Sequence, residues 1–190
     1  MVAKIREVSK LRVTVCVGPP FSGKSKWCKE QQANMPKVYI LPYDDMLFSL
    51  RSTLNVNEKI RDVIAGSIYG MAEDISAADP ECHILIDGFC RDIDNLEYLA
   101  KMTQMFSVIY FDVPLSRISR TNVESRKAGR KYHSPTILGH EVYENKKFYS
   151  GREFQDLLEF YDAEFVKFDP EKQKETLIEK LNNLVTEHAI

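Results

Sequence analysis

The chain has 190 residues, 44% hydrophobic and 28% charged, a size and balance that fit one soluble globular domain (1–190) with a core of its own. No apolar run approaches the ~20 residues of a membrane-crossing helix, and "MVAKIREVSK" at the start has no apolar signal core; a cytoplasmic, intracellular protein without a membrane partner is expected. The net charge of −2 argues against broad coating of nucleic acid, and Cys16, Cys28, Cys82 and Cys90 lack the paired spacing of a zinc site.

Taken in order, "RVTVCV" (12–17) reads as a buried strand, continuous in apolar character as in a parallel sheet covered on both faces. "GPPFSGKS" (18–25) follows it, and "KSKWCKEQQA" can open a helix. "KVYIL" (37–41) is the second strand. Ile60, Val63, Ile64, Ile68, Met71, Ala72 and Ile75 recur at three- and four-residue steps, one stripe on a long helix. "HILID" (83–87) is the third strand, with a further stripe at Ile93, Leu96, Leu99 and Ala100. "SVIYFDV" (107–113) is the fourth, where Asp112 and Pro114 end the strand and start a helix. "EFVKF" (164–168) is the fifth, and Leu177, Ile178, Leu181, Leu184 and Val185 form a last helical stripe. Cys16 and Cys82 fall in strand-like runs and read as small core residues. The histidines His83, His133, His140 and His188 form no cluster and receive no role.

Alternating strands and helices predict an α/β fold, a doubly wound five-stranded parallel sheet. Ligands of such sheets sit beyond the carboxyl ends of the strands, where Gly18–Ser25, Asp44, Asp87 and Asp112 all fall. Between Leu115 and Arg152 nine basic residues face three acidic ones, so the rest of the chain is net acidic. Such a segment focuses a field on an anionic ligand or forms a solvated helix face.

Gly18 to Ser25 satisfies G-x-x-x-x-G-K-[ST] between a strand and a helix, the context this phosphate-binding loop requires. Gly23 admits the backbone close to phosphate oxygens, successive N–H groups make an anion nest, and the helix N-terminus adds partial positive charge. Lys24 should reach the β- and γ-phosphates and Ser25 should ligate Mg²⁺. The expected nucleotide-binding set is Gly18, Pro19, Ser22, Gly23, Lys24, Ser25 and Lys26, for ATP and Mg²⁺. Phe21 is bulky for so tight a bend and is expected to pack on the nucleotide or on the following helix.

This loop, "YDDMLFSLR" (43–51), "ILIDGFCR" (84–91) and "FDVPLSRISRTNVESRKAGR" (111–130) together resemble the small P-loop kinases over roughly residues 11 to 150. Two relatives compete: the bacteriophage-type polynucleotide 5′-hydroxyl kinase domain, and the nucleoside monophosphate kinases similar to adenylate kinase. The first resemblance implies that Asp44 of the pair Asp44–Asp45 is a general base for an alcohol; on the residues alone, the pair equally suits the start of a helix. That family's acceptor-binding Arg is matched by Leu47, with Arg51 one helical turn later. The second resemblance makes Arg91 of "DGFCR" the grip on an acceptor phosphate, although Cys90 stands where Pro is usual. Arginines expected after the lid are missing until Arg152, and "SPTILGHEVYENKKFYS" resembles instead the Pro-initiated helix of polynucleotide kinases.

Both resemblances imply that Asp87 holds a Mg²⁺-bound water or the acceptor. Both also imply a short lid, about 125–135, whose Arg126 and Arg130 cover the γ-phosphate; Arg126 is the closer match to an essential lid arginine. The substrate-binding set is then Asp45, Arg51, Asp87 and Arg91, and the catalytic set Lys24, Asp44 and Arg126. The expected activity is transfer of the γ-phosphate of a nucleoside triphosphate to a hydroxyl, with a polynucleotide 5′ end, DNA or RNA, as first acceptor. The alternative is a (deoxy)nucleoside monophosphate kinase, and zeta-toxin-like kinases of sugar-nucleotide hydroxyls share the same aspartate chemistry.

Overall fold

Five parallel strands form one sheet in the order β2-β3-β1-β4-β5. They are β1 (Arg12–Val17), β2 (Val38–Leu41), β3 (His83–Asp87), β4 (Met105–Phe111) and β5 (Glu164–Phe168). The computed structural model describes residues 11–51, 58–89, 91–103, 105–130 and 132–172. β1 occupies the centre, with Val15 opposite Ile86 of β3 and Val108 of β4. The helices are α1 (Lys24–Asn34), α2 (Tyr43–Arg51), α3 (Glu58–Ala78), α4 (Ile93–Met102), α5 (Leu115–Lys127), α6 (Pro135–Tyr149) and α7 (Arg152–Phe160).

Side chains alternate across the sheet because the strand period is two. Val13, Val15, Val17, Ile84, Ile86, Val108 and Tyr110 bury one face in the larger core, with Ile64 and Ile68 of α3, Leu96 and Leu99 of α4, and Phe154, Leu157 and Leu158 of α7. Cys16, Leu85, Ile109 and Phe111 point to the other face, where Trp27 and Cys28 of α1 meet them. The stripe expected on α3 needs one correction, since Val63 is exposed while Ile64, Ile68 and Ala72 are buried. The helix turns Val63 past the edge of its buried arc. α7 follows no expectation, although its 154-157-158 spacing is a helical one. The stripe from Leu177 to Val185 lies outside the described residues. Among the described residues no helix is long and apolar enough to cross a membrane.

Thr14, His83 and Ser107 interrupt the apolar α1-side face with polar atoms and hydrogen-bond to one another, while His83 Nδ1 is buried without a partner among the described residues. Thr14 Oγ1 lies 2.7 Å from His83 Nε2 and 2.6 Å from Ser107 Oγ, joining β3, β1 and β4. Burial, with a smaller push from Arg12, lowers the imidazole to about 4. An unfolded chain binds that proton near 6.5, so the unfolded state takes up more protons between these values. Stability is therefore expected to fall as pH drops from about 6.5 to about 4, by on the order of 3 kcal/mol in total. Denaturant midpoints measured across this range should fall in the wild type and flatten in His83→Gln; equal steepness in both proteins would count against the assignment.

Candidate active site

The segment between β1 and α1 bends sharply. Gly18, Phe21 and Gly23 all have positive φ, at 138°, 61° and 95°. α1 starts on Gly23 with no side-chain cap and no acidic residue in its first turn. Its leading N–H groups, which a helix cannot pair internally, are thus left to an anion. Lys24 is 6% exposed, and its Nζ donates to the carbonyls of Gly18 (3.0 Å) and Pro19 (3.2 Å). An ammonium has three donors; two hold the loop, and Asp44 Oδ2 stands 3.5 Å away.

α2 carries that aspartate. Met46 N–H donates to Pro42 O at 3.0 Å, so the helix begins on Pro42 and neither Asp44 nor Asp45 is its cap residue. Both lie in the first turn, where the helix dipole favours carboxylates. Asp44 is 39% exposed. Its carboxylate rests on Gly88, which follows β3 at φ 81°; a Cβ built on Gly88 would fall inside the Asp44 carboxyl group. Glycine is therefore required there twice, for the backbone angle and for the space.

Asp87, the last residue of β3, is buried beside Ser25. Burial pushes its carboxyl above the usual carboxylate range and Asp44 and Asp45 push the same way, while the Ser25 hydroxyl bond and the Lys24 charge pull it down. Its Oδ1 and the Ser22 hydroxyl are buried without a hydrogen-bond partner among the described residues. Buried polar atoms are normally paired, so both are set for a ligand. A serine hydroxyl against a carboxylate suits Mg²⁺, which binds through one or two protein oxygens and keeps water and phosphate oxygens for the rest. The uncapped helix start suits a phosphate chain. The residues fit both groups.

The cleft measures about 630 Å³ and gathers the phosphate loop, Asp44, Asp45, Gly88, Arg91, Arg130 and Glu141 on one lining. Lys26 stands at its mouth, 83% exposed and paired loosely with Glu30 at 3.8 Å. α5 ends in a Schellman turn: Gly129 at φ 66° donates to Arg126 O and Arg130 N–H donates to Ser125 O. That turn aims Arg130 at the cleft. Arg126 is not on the lining; its guanidinium lies over the Tyr132 ring, 4.8 Å from the centroid. Asn122, buried in α5, donates to His133 O (2.8 Å) and accepts from His133 N (2.9 Å), bracketing this turn at its base. Phe21 packs its ring edgewise on His133 and joins the cluster of Val113, Ile118 and Leu138. The expected contact with the following helix is corrected: the ring meets the α5–α6 junction.

Arg91 meets Glu141 of α6, Nη1 to Oε2 at 2.9 Å. Arg51 ends α2, and its side chain lies outside the described residues. Arg117 of α5 grips Asp169, on the loop after β5, through both terminal nitrogens, at 2.5 and 3.1 Å, and holds that carboxyl below its usual range. Sequence reasoning missed Gly88, Arg61, Glu141, Asn145 and Tyr149 on the lining. Only Gly88 left a signal, as the residue directly after an acid that closes an apolar strand.

No protein-family model and no curated protein matches the sequence. Among solved structures, the chain is similar to one in the Pnkp1/Rnl/Hen1 RNA repair complex, with a TM-score of 0.54 and 15% identity over 84% of this chain and 49% of that one. It is also similar to a tunicamycin resistance protein of Deinococcus radiodurans, with a TM-score of 0.55 and 10% identity over 92% of this chain and 95% of that one. The chain thus spans about half the length of the RNA repair chain. At these identities the likeness is one of fold, the α/β arrangement with its all-parallel five-stranded sheet.

Proposed function

We propose that the protein is an ATP- and Mg²⁺-dependent phosphotransferase that moves the γ-phosphoryl group to a hydroxyl, with the 5′-hydroxyl of a polynucleotide as preferred acceptor. The observation that carries this reading is the seat of Asp44, whose carboxylate lies 3.5 Å from the buried Lys24 ammonium and lines the cleft with the phosphate loop. An alcohol attacks poorly until its proton is taken, and a positioned carboxylate takes it. An acceptor that is already a phosphate anion has no need of such a base.

The remaining residues have parts in the same scheme. The N–H groups from Gly18 to Ser25, with Pro19 and Ser22 shaping the bend and Lys26 at the mouth, bind the phosphates. Lys24 neutralises charge on the transferred group. Ser25 would hold the metal, and Asp87 beside it would hold a metal-bound water or the acceptor. ATP, when bound with Mg²⁺, supplies the electrophilic phosphorus. Arg130 and Arg126 offset charge that develops during transfer; Arg130 lines the cleft, whereas Arg126 has first to leave the Tyr132 ring. Asp45, Arg51 and Arg91 belong to the acceptor side. The basic stretch from Leu115 to Arg152 suits a polyanion, and a fold neighbour taken from an RNA repair complex makes polynucleotide ends the first acceptors to try.

Incubation with γ-labelled ATP, Mg²⁺, 5′-hydroxyl DNA and RNA oligonucleotides and a panel of nucleoside monophosphates tests the reading. Label is expected on an oligonucleotide 5′ end. Label confined to monophosphates, as newly made diphosphates, would replace the proposal with the monophosphate kinase.

A further inference from the structure

Arg91 is the one arginine of the cleft that resemblance marks for an acceptor phosphate, and it is engaged. Its Nη1 donates to Glu141 Oε2 at 2.9 Å, and each side chain is 27% exposed, so the pair is partly shielded from water and from salt. The two come from separate elements, the start of the α4 segment and the second turn of α6. Asn145, one turn on, donates its Nδ2 to Glu141 O at 2.8 Å and is itself buried. Both members of the pair line the cleft that contains Asp44. Arg91 is three residues from Gly88, on which the Asp44 carboxylate rests, so its Cα is at most about 11 Å from that of Gly88.

A phosphate entering this lobe meets an arginine whose charge is already balanced and a carboxylate of its own sign. It must displace Glu141 from a charge-assisted bond or sit beside it, and like charges at such a contact oppose binding strongly. A hydroxyl brings no charge to the same place. We propose that Glu141 is a specificity-determining residue: by holding Arg91 it turns the acceptor lobe against a phosphate at the reacting end and leaves it open to an alcohol. This rests on reading the cleft as the site of a hydroxyl kinase, and it assigns the rejection of the rival acceptor to one side chain.

The test uses binding, so that it does not depend on transfer. Two fluorescent oligonucleotides of one sequence, ending in 5′-hydroxyl or 5′-phosphate, are titrated at fixed salt into wild type, Glu141→Gln and Glu141→Gln/Arg91→Ala. Gln keeps the shape and can still accept from Arg91, but carries no charge. Glu141→Gln is expected to improve binding of the 5′-phosphate oligonucleotide at least ~10-fold more than that of the hydroxyl one, and the added Arg91→Ala is expected to remove the gain. An equal gain for both ends, no gain, or a gain that survives loss of Arg91 overturns the inference. Labelling of monophosphates by wild type would overturn the hydroxyl-kinase reading whatever these titrations give, so the two failures are distinct.

Discussion

Exchange of Asp44 for asparagine is expected to slow transfer to a hydroxyl by about 10²- to 10⁴-fold, the usual contribution of a positioned general base. Asparagine has the same size, so it still fits over Gly88 and leaves the start of α2 undisturbed. What it lacks is a carboxylate able to take a proton. Lys24 loses an anion at 3.5 Å, which leaves more of its charge for phosphate, so affinity for a non-hydrolysable ATP analogue should hold or rise. Single-turnover rates and analogue titration separate the two effects. A variant that keeps a tenth or more of the rate would remove Asp44 as the base; one that loses nucleotide binding in step with rate would make it an architectural residue.

Gly88→Ala should be nearly as damaging without touching a reactive group. The new methyl would occupy the position of the Asp44 carboxyl, and φ at 81° is disfavoured for alanine besides. Moving a reacting group by about 1 Å costs about 10²-fold, and that loss or more is expected. The strain at φ lowers stability but does not by itself slow chemistry in the molecules that remain folded. A double-mutant cycle distinguishes these effects. If Gly88 acts through Asp44, adding Gly88→Ala to Asp44→Asn costs little further rate per folded molecule. Full additivity of the two losses would mean that the glycine serves some other purpose.

The features legible in the sequence were those written in local pattern. Short, mostly apolar runs marked all five strands, most plainly β1, β3 and β4, which are buried along almost their whole length because both sheet faces are covered there. The edge strands β2 and β5 are only partly buried, with Lys167 exposed. The phosphate loop was legible since its residue types follow from its own backbone geometry and charge. Val63 misled because a helical stripe in sequence does not show where the buried arc ends. Phe21 was noticed as bulky, but its partner His133 is more than a hundred residues away in the chain. The Arg91–Glu141 pair, 50 residues apart, and the contact of Asp44 with Gly88 depend on how separate crossovers pack. No spacing within either segment encodes them. Arg126 and Arg130 were seen together as lid arginines, and only the Schellman turn, with the Tyr132 ring, distinguishes their directions.

The Asn122 bracket on His133 fixes both ends of the stretch bearing Arg126 and Arg130. An arm hinged at one end could sweep a wide arc; a stretch pinned at both ends can only flex between its anchors, so its two guanidinium groups, Arg130's on the cleft lining and Arg126's over the Tyr132 ring, move only within the reach of that stretch. The chain meets most of the ordering cost of bringing them there when it folds. Because Phe21 touches the same anchor, the cradle and this stretch are mechanically one piece, and a ligand that reshapes one strains the other.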